Sequence, residues 1–180
     1  MHVNAKKMAF GGLALAVCVL LMALGSVLES STLFFLACAS FLVGILIREM
    51  GMKMGSAFYL ASVLLGFLIA PNKFYVISYG AMSLYLLLIE GIWKLLVKGP
   101  EDLRKISIFW AAKYLVFNFM YIPAVLLFQK LLFGGNLTSG MTAAVLAAGQ
   151  VVLWVYDHAY DYVQAAVWPK IRGRIFRTGE

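Results

Sequence analysis

The chain has 180 residues, 63% of them hydrophobic and 13% charged, with a mean hydropathy of +0.91. A soluble domain carries about 25% charged residues, so this apolar excess excludes a water-soluble globular fold, and six spans of about 20 residues each leave no room for an extramembrane domain. The net charge of +7 falls in short basic clusters between apolar runs, which reads as contact with anionic lipid and not with nucleic acid.

Six apolar runs follow one another, at about 8–28, 32–47, 54–70, 74–93, 107–128 and 139–156. They predict an all-α, polytopic integral membrane protein, a single domain built as a bundle of six transmembrane helices, with a basic tail over 157–180. The first run follows Lys6 and Lys7 as a signal peptide would, but it is longer than a signal h-region and further spans follow it, so it counts as the first helix. Cys18 and Cys38 lie inside apolar runs, where cysteine serves as a small buried hydrophobe. The segment Gly99-Pro100-Glu101-Asp102 reads as a helix stop followed by a helix start, because glycine suits the end, proline the first turn, and acids the positive end of the new dipole. Pro123 is expected to kink the fifth helix.

With the amino terminus inside, Lys6, Lys7, Arg48, Lys53, Lys94, Lys98, Arg104, Lys105, Lys113, Lys170, Arg172, Arg174 and Arg177 fall on the inner side, and Lys73 and Lys130 on the outer side. The positive-inside rule therefore predicts that both termini are cytoplasmic, with the chain in the cell (inner) membrane. Trp93, Trp110, Trp154 and Trp168 map near the same inner interface, where an amphipathic indole prefers to sit.

Between helices in lipid, small residues permit close backbone approach. Candidate faces are Gly12 and Ala16 on the first helix, Gly51, Gly55, Ser62, Gly66 and Ala70 on the third, and Gly140, Ala144 and Ala148 on the sixth. Most such stripes join helices of one chain, and fewer dock a partner. An ionisable group at membrane depth needs a reason. Glu90 and Lys113 lie at similar depth, about 12 Å from the inner ends of their helices at 1.5 Å per residue, and are read as an intramembrane charge pair. The alternatives are a Glu90–Lys94 pair with Lys113 snorkelling to the headgroups, or a proton pathway. Asp157, His158 and Asp161 share part of a turn, but no further ligand recurs, so no metal is assigned and the acids are expected to meet Arg48 or Lys53. Tyr75, Ser78, Tyr79, Ser83, Asn118, Tyr121 and Gln150 would line any pocket open to the outside, or else join helices by hydrogen bonds. No catalytic triad, HExxH, phosphate loop or Walker sequence occurs, so neither catalysis nor a cofactor is expected.

Gly12 and Ala16, the glycine-rich stretch Gly51-Met52-Lys53-Met54-Gly55 and the proline-led outer turn at Pro71 give the chain a layout that resembles the substrate-binding S components of energy-coupling factor transporters. Those proteins cap their ligand with longer outer loops than the turns at Glu29 to Ser31 and Pro71 to Lys73. The resemblance implies capture of a vitamin or small metabolite from outside, and docking through the Gly12–Ala16 face on a membrane-embedded coupling subunit that supplies the energy. At the same coarse level the chain resembles the membrane subunit of rod-shape complexes, which implies a non-enzymatic scaffold with a filled interior and an exposed small-residue stripe. A carrier coupling protons through Glu90 and Lys113 is a third reading.

Overall fold

A computed structural model describes residues 5–28, 31–99, 106–127, 135 and 138–176, with side chains as far as Gly173. All regular structure among them is helical. The helices are α1 (Ala5–Val27), α2 (Thr32–Met50), α3 (Met52–Ile69), α4 (Lys73–Lys98), α5 (Ile106–Leu127), α6 (Ser139–Tyr162), a π turn (Val163–Val167) and α7 (Trp168–Phe176). Six of them, the last running on as Ser139–Gly173, are long and apolar enough to cross a membrane, and the chain is a multi-pass membrane protein. The expected helix start after Gly99, Arg104, Lys105, Lys130, Arg177, the side chain of Arg174 and turn residues 29 and 30 lie outside the described residues.

Each expected span is found within a few residues, with two larger differences. Helix α4 continues past its apolar run to Lys98, because Lys94 and Lys98 are good helix formers and can leave the hydrocarbon while the backbone ladder goes on. The tail expected over 157–180 is helical to Phe176. Pro169 would deprive an α-helix of the bond to residue 165 and crowd that carbonyl; the π turn spans that point, and the helix resumes beyond it.

The chain divides into two compact units, Met1–Gly91 with Val163–Glu180, and Ile92–Tyr162. In the first, α2 is the most enclosed helix. Leu36, Ala39, Val43, Leu46 and Ile47 recur at helical spacing with almost no exposure. Against it α1 sets Ala14, Cys18, Met22 and Gly25, and α3 sets Phe58. The α1–α2 turn is close: Thr32 Oγ1 donates to Gly25 O at 2.8 Å, and a Cβ on Gly25 would stand 3.4 Å from Phe35 Cβ. Helices α2 and α3 are joined by Gly51 alone, at φ +90°, a conformation that favours glycine. Gly55 then lies so near Ile47 that a Cβ would collide with it. The outward positions Leu13, Leu20, Leu60, Leu64 and Leu68 are exposed, as acyl chains require.

In the second unit α5 packs on α6 with far less enclosure. Helix α5 buries only Lys113 and Val125, and α6 buries Gly149, Leu153, Asp157 and Tyr160. Helix α5 runs through Pro123 without ending.

Candidate functional site

Three polar clusters stand out. The first is enclosed in the first unit. Cys18 Sγ lies 3.2 Å from the Tyr79 hydroxyl, which is 2.6 Å from Ser62 Oγ. All three residues are fully buried. Tyr79 is thus a link between α1, α3 and α4. Tyr75 is half-buried beside the same core, and Ser78 is on an exposed face of α4.

The second cluster belongs to the second unit. Lys113 Nζ is 2.7 Å from Asp157 Oδ2 and 3.5 Å from Asp161 Oδ2. Lys113 is 3% exposed, so its ammonium is not snorkelling to the headgroups. It also stands 4.6 Å and 4.9 Å from the ring centres of Phe109 and Trp110, where the π faces favour a cation. Asp157 and Asp161 are four residues apart and share the face that meets α5, as their spacing predicts. His158 is engaged elsewhere: its Nδ1 is 2.9 Å from Trp154 O, and its ring centre is 4.2 Å from that of Trp154 and 5.8 Å from that of Trp110. Farther along the same pair of helices, Gln150 Nε2 donates to Asn118 Oδ1 at 2.8 Å, and the Tyr121 hydroxyl donates to Val145 O at 2.8 Å. The Tyr121 ring occupies the place where a side chain on Gly149 would go.

The third cluster gathers at one end of the first unit. Arg48, in the last turn of α2, reaches Glu90 Oε1 with Nη2 at 2.6 Å and with Nε at 2.7 Å. Its neighbour Glu49, about 100° round the helix, faces α7: Glu49 Oε1 accepts from Trp168 Nε1 at 2.9 Å and from Arg172 Nε at 2.8 Å. Lys7 Nζ donates to Glu49 O at 3.3 Å, and the Trp168 ring sits 5.3 Å from that of Phe10. Four helices are fastened here through two consecutive residues of α2.

Glu90 and Lys113, read from the sequence as a pair, each have an ion-pair partner within their own unit. Glu90 is held by Arg48 and Lys113 by Asp157; depth along a helix can be counted from sequence, but the direction in which a side chain faces is set by packing. Likewise Asp157 and Asp161 meet Lys113, where Arg48 or Lys53 had been expected. The small-residue stripes divide as well. Ser62 and Gly66 on α3 and Ala70 just past its end are buried, and Gly66 approaches Met22 and Val76. Gly12, Ala16, Gly140, Ala144 and Ala148 are exposed; Gly11, one residue from Gly12, is the glycine that faces the α2 end, at Met50. Sequence reasoning missed Glu49 and Gln164. Their signal was there, as an acid beside a base at a helix end and as an amide in an apolar stretch.

In comparison with known proteins, no family model, curated protein or solved structure matches this chain.

Proposed function

We propose that the chain is a non-enzymatic subunit of a bacterial inner-membrane complex, inserted with both termini in the cytoplasm, and that it docks a transmembrane helix of another subunit on the Gly12–Ala16 face of α1. The orientation rests on the distribution of lysine and arginine along the sequence. The observation that carries the docking reading is a contrast on one helix. On one face of α1, Cys18 and Met22 are fully buried; on another, Ala16 is exposed and a Cβ on Gly12 would have nothing within 4 Å. Apolar packing against lipid tails needs no glycine, whereas close approach of a second backbone does.

Capture of a small metabolite from outside draws no comparable support. Tyr79 is sealed inside the first unit, Ser78 lies on an exposed face, and Asn118 and Gln150 are bonded to each other. A photo-crosslinking residue in place of Ala16, in native membranes, tests the docking reading. A discrete protein adduct that disappears with Gly12→Leu is expected, with thermal stability in detergent unchanged. Adducts to lipid alone would end it.

A further inference from the structure

Beside the third cluster lies a cleft of about 560 Å³, lined by Arg48, Glu49, Gln164, Trp168, Pro169 and Arg172 together with Gly173. A volume of this order is that of a small-molecule site, far more than one water occupies. Gln164 lies in the π turn and is 7% exposed, and neither its Nε2 nor its Oε1 has a hydrogen-bond partner. A buried amide left in that state costs free energy unless something in the cleft completes it. The two arginines contribute in another way. Arg48 commits two nitrogens to Glu90 and Arg172 one to Glu49, yet their side chains are 42% and 60% exposed, and a guanidinium has five N–H donors in a planar fork. Lys7, Arg48 and Arg172 stand against Glu49 and Glu90, so the cluster as named carries one excess positive charge.

The geometry points to a binding site for a phosphate group in this cleft, with Arg48 and Arg172 offering N–H donors to its oxygens and Gln164 reading its substituent. The amide sets the chemistry beyond the charge. Its Nε2 needs an acceptor, which a phosphate oxygen supplies, and its Oε1 needs a donor, which a hydroxyl or ammonium group attached to the phosphate supplies. A phosphodiester bearing such a group is the headgroup of a common membrane phospholipid. Position agrees: the cleft is at the end of α2, where a membrane-spanning helix meets the headgroup layer, and Trp168 is an interfacial residue type. Exposed Val167 and Ile171, one turn apart on the same helix, offer an apolar track for an acyl chain. This inference needs only that the chain be in a membrane, and it stands or falls separately from docking on α1.

The test uses the full chain with Trp93, Trp110 and Trp154 changed to phenylalanine, so that Trp168 alone reports. In detergent, after delipidation, its fluorescence is followed while dihexanoyl phosphatidylglycerol or inorganic phosphate is added. A saturable response is expected, weakened about tenfold by Gln164→Leu and by Arg172→Gln, since each removes bonds to a charged group. A response to the short-chain lipid and not to inorganic phosphate assigns the site to a lipid headgroup; a response to both, with the same dependence on the two variants, assigns it to soluble phosphates. Should Gln164→Leu not fold, Gln164→Glu keeps the shape, adds a negative charge, and is expected to weaken the response further. No saturable response to either probe, or one indifferent to Gln164 and Arg172, would overturn the inference.

Discussion

The two units associate their helices by different physics. In the first, α1, α2 and α3 are held by enclosed apolar side chains and by glycines that let backbones approach, and half of the best membrane-spanning window of α2 is buried. In the second, 11% of the corresponding window of α5 is buried, and the α5–α6 pair is joined by an ion pair, an amide pair and a tyrosine hydroxyl. Lipid tails are as apolar as leucine, so burial from water drives neither association. What remains is close packing or polar bonding, and each unit relies mainly on one of them.

The contrast can be broken first at Lys113. Lys113→Met leaves the Asp157 carboxylate buried without its cation, and a loss of about 3–5 kcal/mol is expected. Adding Asp157→Leu should restore most of it. Unfolding in mixed detergent micelles measures both; a loss under about 1 kcal/mol for the single variant would mean that the pair does not hold α5 to α6.

Glycine substitutions sharpen the comparison at the next level. Gly55→Val forces side-chain atoms into Ile47 and should cost about 1–3 kcal/mol, whereas Gly140→Val, with open space around it, should leave stability unchanged. Equal effects at the two positions would erase the distinction between packed and open small residues.

The smallest effects are expected at neutral hydrogen bonds. Tyr79→Phe removes the hydroxyl shared by Cys18 and Ser62, and Gln150→Leu removes the amide pair with Asn118; each should cost about 0.6–1 kcal/mol. A double-mutant cycle of Tyr79→Phe with Ser62→Ala would show coupling if the 2.6 Å contact is energetic, and additivity if it is not.

The amino-acid sequence by itself determined the helices. Apolar runs of membrane length, the glycine after Lys98 and the glycine at 51 are local signals, and the elements follow them within a few residues. Partnerships were different. That Lys113 meets Asp157, that Glu90 meets Arg48, and that Gly12 is exposed while Gly66 is enclosed were decided only by tertiary structure. Rise along a helix is a property of the backbone and can be counted. Which way a residue faces depends on how one helix is rotated against its neighbours, and that is settled jointly by side chains far apart in the chain.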